Sequence, residues 1–333
     1  MILDGRDPAA VQRAAEALRA GALLGLPTET VYGLAADADQ DAAVAQIFTA
    51  KGRPSDHPLI VHVADAQGVD HYAQAVPDFA RALLQRFWPG PLTLILPRRP
   101  EVAAAAAGGQ DSIGLRCPAH PVAHALLLAA RARGVHGVAA PSANQFGRVS
   151  PTTAAHVQGE FGDELLILDG GACEVGIEST IVDCTRGVPV LLRPGRITRE
   201  QIEAVSGQRL HDKDELAAPT PRASGTLEAH YAPRAKVRLM DGKALQTALE
   251  VLGRDFDGGK ATIAVYARSI LRVPSVNLLY RRMPDDAAAA AQQLFAALRD
   301  FDAQGVNLIW VEAPPQTTDW EGVRDRLQRA AAS

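Results

Sequence analysis

Up to about residue 205, apolar positions switch repeatedly between the helical and the strand period. Asp7-Pro8 reads as a cap with proline in the first turn, opening an Ala/Leu-rich helix that ends at Gly21. The pattern then predicts strands at 22–26, 59–63, 92–96, 112–116, 137–140, 165–168, 180–182 and 190–192. It predicts helices at 41–51, 77–88 and 121–133, and another beginning near Pro151. In the 77–88 segment Phe79, Leu83, Leu84 and Phe87 share one face. Strands alternating with helices make an α/β layer structure, and consecutive strands near its end make the sheet mixed. Residues 207–234 break the pattern: 217–226 are rich in Pro, Gly, Ser and Thr and read as a linker. A smaller alternation follows, with strands at 236–240, 262–266, 276–279 and 308–312 and helices at 243–252, 285–301 and 321–331. Such alternation predicts a small Rossmann-like domain.

Length agrees with this division, because 333 residues exceed what one core usually supports. The expected boundaries are a catalytic domain at 1–206, a linker or lid at 207–234 and a small domain at 235–333. No apolar run is long enough to span a bilayer and no secretory signal is visible at the start, so no membrane partner is expected. Three scattered cysteines without a Cys-x-x-Cys pair imply reduced thiols, a cytoplasmic location and no structural zinc. A formal net charge of −4 argues against stable nonspecific nucleic-acid binding, so any basic site is local and sized for a small anion.

The chemistry-bearing residues gather at strand ends. Lys51-Gly-Arg-Pro-Ser-Asp-His-Pro-Leu-Ile-Val-His62 places two cations in a loop stiffened by Pro54 and Pro58, a cradle for a polyanion. A surface turn with solvated cations fits the same residues. Leu26-Pro-Thr-Glu-Thr-Val-Tyr-Gly33 puts hydroxyls and a glutamate at a strand exit, where open α/β sheets bind ligands; a polar turn is the alternative. Phe87-Trp-Pro-Gly-Pro-Leu-Thr reads as a structural turn that could wall a pocket. Strand alternation sets Ser112, Gly114 and Arg116 on one face, where Arg116 suits a carboxylate or phosphate or is an edge charge. Ala140-Pro-Ser-Ala-Asn144 supplies small hydroxyl and amide groups, and Ser150 reads as a helix cap. Gly176-Ile-Glu-Ser-Thr180 and Leu192-Arg-Pro-Gly-Arg196 repeat the theme.

The usual nucleotide fingerprints are absent: the nearest approach to a P-loop, Gly258-Gly-Lys-Ala, lacks the hydroxyl and the spacing. His120 and His124 have helical ligand spacing, but no acidic residue completes a metal site. Hydroxyls and cations without a nucleophile–base pair suit a reaction driven by binding and charge stabilisation, such as in-line attack at phosphorus.

In this order, Pro27-Thr-Glu-Thr-Val-Tyr-Gly, Lys51-Gly-Arg-Pro, Pro89-Gly-Pro-Leu-Thr, Gly114-Leu-Arg, Pro141-Ser-Ala-Asn, Ile177-Glu-Ser-Thr and Arg193-Pro-Gly resemble the YrdC-like family, in its long two-domain threonylcarbamoyl-AMP synthase form. The resemblance spans the chain and implies an α/β YrdC-like domain with a large twisted mixed sheet. It implies a nucleotidyltransferase joining L-threonine, bicarbonate or CO2, and ATP with release of pyrophosphate, and Mg²⁺ held mainly by the ATP phosphates. The product would pass to the machinery that transfers threonylcarbamoyl to tRNA. By motif, Thr30, His62, Arg116, Ala140 and Ser179 would hold threonine, with Arg116 on its carboxylate. Lys51, Arg53, His57, Ser112, Ser142, Ser150, Arg193 and Tyr231 would hold ATP, with Lys51 and Arg53 the catalytic cations and Tyr231 closing over the nucleotide. His57 stands where the family commonly has asparagine, and the linker reads Arg222-Ala-Ser-Gly-Thr rather than Ser-Pro-Gly-Met. The alternatives are an RNA-binding or ribosome-associated module, or carbamoyl transfer in metallo-enzyme maturation. The latter is disfavoured because acylphosphatase-like and zinc-binding segments are absent.

Overall fold

The computed structural model of the chain describes residues 1–217, 219–226, 230–252, 263–270 and 278–332. They fall into two compact units, residues 1–146 with 150–226, and residues 147–149 with 227–333. In the first, the strands are β1 (Ile2–Asp4), β2 (Leu24–Leu26), β3 (Gly33–Asp37), β4 (Ile60–His62), β5 (Leu92–Pro97) and β6 (Ser112–Arg116). They continue with β7 (Val138–Ala139), β8 (Leu166–Asp169), β9 (Thr180–Asp183), β10 (Val190–Arg193) and β11 (His211–Asp212). Among the described residues these form one eleven-stranded sheet in the order β1-β8-β2-β3-β7-β4-β6-β5-β9-β10-β11. The sheet is mixed, as expected: β4 runs parallel to β6, while β5 runs antiparallel to β6 and parallel to β9.

The helices of this unit are α1 (Pro8–Arg19), α2 (Asp41–Lys51), α3 (Gln67–Tyr72), α4 (Asp78–Phe87), α5 (Pro121–Arg131), α6 (Ala154–Phe161) and α7 (Arg199–Ser206). Asp7 caps α1 by accepting the Ala9 N–H at 2.9 Å, with Pro8 in the first turn. The apolar faces of α2 and α4 close one core, in which Ile47, Leu83, Val61, Leu94 and Leu115 are inaccessible to solvent. A second core lies where α1 and α5 pack together, around Leu18, Leu24 and Leu126. A third, smaller cluster of Ile60, Ile95, Ile181, Val190 and Leu192 is covered by Leu216 and Ala223 from the segment predicted as linker.

The helix after Pro151 is not capped by Ser150; its cap is Thr153, whose hydroxyl accepts the His156 N–H at 3.3 Å. Ser150 is fully buried and donates instead to Glu178. The sequence pattern also passed over β1, β3, α3, α7 and β11.

The second unit is built on its own sheet. Strands β12 (Lys236–Met240), β13 (Ile263–Ala267), β14 (Leu278–Arg282) and β15 (Leu308–Glu312) form a parallel sheet in the order β12-β15-β13-β14. Helices α8 (Gly242–Leu252), α9 (Ala287–Ala303) and α10 (Glu321–Ala331) accompany it. The predicted strand starts at Thr262 and at Val276–Asn277 lie outside the described residues. No described helix is long and apolar enough to cross a membrane.

Gly195 ties the fold of the first unit to its strand ends. A Cβ there would lie 2.5 Å from the Thr180 amide nitrogen and 2.8 Å from the Glu178 carbonyl oxygen, both backbone. Gly195→Ala is expected to cost about 1–3 kcal/mol of stability, because rigid backbone must move to admit the methyl group. A urea midpoint unchanged from wild type would contradict this close approach.

Candidate active site

Strand polarity brings four segments to one end of the sheet: the carboxyl end of β6, the amino ends of β5 and β9, and the carboxyl end of β10. Arg116 ends β6, and register pairs it with His62, the last residue of parallel β4. Both are buried. Arg116 Nη1 donates to Thr30 Oγ1 at 2.8 Å, and Nη2 forms an ion pair with Glu29 Oε1 at 2.7 Å. Burial, and then the neighbouring Arg116 charge, push the His62 imidazole down to about 3, so it is neutral across the physiological range. Its Nδ1 has no hydrogen-bond partner among the described residues. Ala140 closes the edge of the same region, its N–H donating to the Ile60 carbonyl at 3.0 Å.

Ser179, just before β9, shares a hydrogen bond of 2.7 Å with Thr93 of β5. Arg193, at the end of β10, donates through Nη2 to the Ser179 hydroxyl at 3.1 Å and through Nε and Nη2 to the Ser179 carbonyl. A residue predicted for threonine and one predicted for ATP are thus joined directly. Arg193 Nη1 reaches the Ser224 carbonyl at 2.9 Å. Residues 222–224 cover the sheet beside Ser112 and Gly114 and leave a cavity of only about 10 Å³. Arg222 fixes this segment through Asp56 at 2.7 Å and the Gly108 carbonyl at 3.0 Å.

The basic loop is assembled by the end of α2. Gly52 stops the helix in the left-handed region, φ 61°, which a side chain would resist, and Arg53 follows the reversal. Lys51 is buried, and its ammonium donates to the carbonyls of Ser142, at 2.6 Å, and Asn144. Burial, with Arg53 beside it, holds that ammonium well below the usual lysine range. Arg53 donates to the Pro58 carbonyl at 3.0 Å and lies 5.6 Å from the centre of the Phe146 ring. His57 meets the same ring edge-on at 5.5 Å, its imidazole lowered by burial and by Arg53. Lys51, Arg53, His57 and Ser142 therefore form one group, and Thr30, His62 and Arg116 another.

Tyr231 belongs to the second unit. It is buried at φ 61°, stacks on Phe295 with ring centres 5.5 Å apart, and has the Arg326 guanidinium 5.3 Å from its centre. Sequence reasoning left out Thr28, Glu29, Thr93 and Glu178, although each sits inside a quoted motif. The available signal was adjacency for Glu29 and Glu178, which stand beside the assigned Thr30 and Ser179; Thr28 and Thr93 have no assigned neighbour. A separate cavity of about 500 Å³ opens beside Asp65, Val69, Trp88, Cys117 and His124, and none of the predicted site residues lines it. Among the described residues no group of three or more His, Cys, Asp or Glu could hold a metal ion.

Residues 16–195 match the family of the Sua5, YciO and YrdC proteins, described as telomere recombination. Residues 197–332 match the threonylcarbamoyl-AMP synthase C-terminal domain. The threonylcarbamoyl-AMP synthase of Pyrococcus abyssi is 39% identical over 96% of this chain and 94% of its own. That of Bacillus subtilis is 39% identical over 99% and 94%. The crystal structure of P. abyssi Sua5 complexed with L-threonine superposes with a TM-score of 0.87 at 36% identity, covering 99% of this chain and 97% of that one. With both family matches in register along its length, the chain belongs to the Sua5/YrdC family, in the long form that carries a second domain.

Proposed function

We propose that the chain is an ATP-dependent threonylcarbamoyl-AMP synthase acting in tRNA threonylcarbamoyladenosine modification. The observation that carries this reading is the pairing of Arg116 with Thr30 beside a neutral, buried His62, in a chain whose full-length relatives bear that activity. Arg116 offers a planar fork to the threonine carboxylate, and Thr30, His62, Ala140 and Ser179 surround the rest. The threonine amine takes up CO2, losing a proton, and the carbamate oxygen attacks the α-phosphorus of ATP. The bond to the β-phosphate oxygen breaks and pyrophosphate leaves. Lys51, Arg53, His57, Ser112, Ser142, Ser150 and Arg193 are assigned to the nucleotide, where the cations offset charge on the phosphates. Mg²⁺ enters with the nucleotide as part of the substrate, and no step depends on a protein-held ion. The product is a reactive anhydride whose consumer is a tRNA threonylcarbamoyl transferase in the cytoplasm.

Pyrophosphate release is the direct test. It should require ATP, L-threonine and bicarbonate together, and label from α-labelled ATP should appear in a small-molecule adenylate. Stable label on the protein that threonine chases away would replace this mechanism with a covalent one.

The state of His62 gives a second expectation. Its pKa is lower in the folded than in the unfolded chain, so between about pH 3 and 6.5 the unfolded state binds more protons. The His62 contribution to stability is therefore complete above pH 6.5 and lost as pH falls toward 3. His62→Asn should lose less stability than wild type between pH 6.5 and 5, measured by urea unfolding. Parallel pH profiles would mean that His62 titrates normally.

The assignment of Tyr231 to the nucleotide predicts that Tyr231→Ala raises KM for ATP more than KM for threonine. An unchanged ATP curve would remove Tyr231 from the site.

A further inference from the structure

The turn between β2 and β3 contains two buried polar residues with no role in the reading above, Thr28 and Glu29, 2% and 5% exposed. The Thr28 hydroxyl has a single proton and gives it to the Val31 carbonyl at 2.6 Å. Its 2.9 Å contact with Thr30 Oγ1 must therefore run the other way, with Thr30 donating. The N–H groups of Thr30 and Val31 also approach Thr28 Oγ1, at 3.3 and 3.2 Å. Arg116 Nη1 donates to Thr30 Oγ1. The Thr30 hydroxyl has thus spent its proton and keeps only accepting capacity.

Glu29 performs the matching service for Arg116. One carboxylate oxygen accepts the Ala119 N–H at 3.1 Å, which pins the group to backbone. The other forms the 2.7 Å ion pair with Nη2. With Nη1 held by Thr30 and Nη2 by Glu29, the guanidinium has a fixed orientation, and its buried Nε has no partner among the described residues. The pair is also neutral as a whole, which lets a buried arginine persist before any anion arrives.

We propose that Thr28 and Glu29 are positioning residues that preset the polarity of the substrate pocket. Thr28 makes Thr30 an acceptor, and Glu29 aims Arg116 as a donor. A ligand complementary to that pair carries a carboxylate close to an N–H or O–H donor, as an α-amino acid does. The inference rests on the reading of L-threonine as substrate.

Steady-state kinetics on the full chain test it. Glu29→Ala should raise KM for threonine roughly 10- to 100-fold, the worth of a hydrogen bond to a charged group, with KM for ATP nearly unchanged. Glu29→Gln keeps one acceptor oxygen but turns an amide N–H toward either Arg116 or the Ala119 N–H and removes the counter-charge, so it should recover only part of the loss. Thr28→Val is isosteric and frees the Thr30 proton to face the substrate's own donor, so KM for threonine should again rise about tenfold or more. Thr28→Ser should restore it. A merely structural role would lower the folded fraction and the apparent kcat while leaving both KM values in place. If Glu29→Ala does not fold, Thr28→Val carries the test. Folded variants with unchanged threonine KM, equal rises in both KM values, or no rescue of Thr28→Val by Thr28→Ser would overturn the proposal. Wild-type turnover indifferent to L-threonine would overturn the functional reading, and this proposal with it.

Discussion

Buried positive charge is the constraint on which the rest of the catalytic unit depends. Lys51, Arg53, Arg116 and Arg193 are 2%, 8%, 3% and 2% exposed. An ionised group removed from water must be given hydrogen bonds or counter-charge, or it will shed its proton. The chain uses a different solution at each position. Lys51 is held by two loop carbonyls, Arg193 by the backbone and hydroxyl of Ser179, and Arg116 by a carboxylate and a hydroxyl. Arg116 receives a full counter-charge from Glu29, and it is the one assigned to a substrate carboxylate.

Meeting that constraint shapes the surrounding fold. The carbonyls that hold Lys51 come from the loop after β7, and the N–H of Phe146 returns to the Lys51 carbonyl, so the helix end and the loop fix each other. The close approach of Gly195 to Thr180 brings the Arg193 turn against the start of β9, where Ser179 lies. Mixed strand polarity is a requirement of this design: because β5 opposes β6 and β10 opposes β9, Thr93, Arg116, Ser179 and Arg193 arrive at one end.

The α/β order was legible because most strands are short apolar runs of fixed period. β6, β12, β15, α2 and α10 fall where periodicity sets them. What escaped had no such pattern. β3 is Gly-Leu-Ala-Ala-Asp, buried throughout but too rich in small residues to read as a strand. α7 buries only Ile202, so its polar sequence has almost no apolar stripe, and β11 is two residues long. In the site, residue types at strand ends were readable one segment at a time. The bonds joining them were not, since Arg116 meets Thr30, and Ser179 meets Thr93, across 86 residues of chain. Ser150 shows the limit: its residue type suits a cap, but the helix starts only at Ala154 and the Ser150 hydroxyl meets Glu178, 28 residues away in sequence.

The central claim is that Arg116, oriented from both sides, receives the carboxylate of L-threonine. Isothermal titration of L-threonine into wild type and Arg116→Lys, without nucleotide, tests it most directly. Wild type should bind one threonine, and the lysine variant should bind it about tenfold more weakly or not at all, since a point charge cannot replace the fork. Equal affinity in the two proteins would contradict the account.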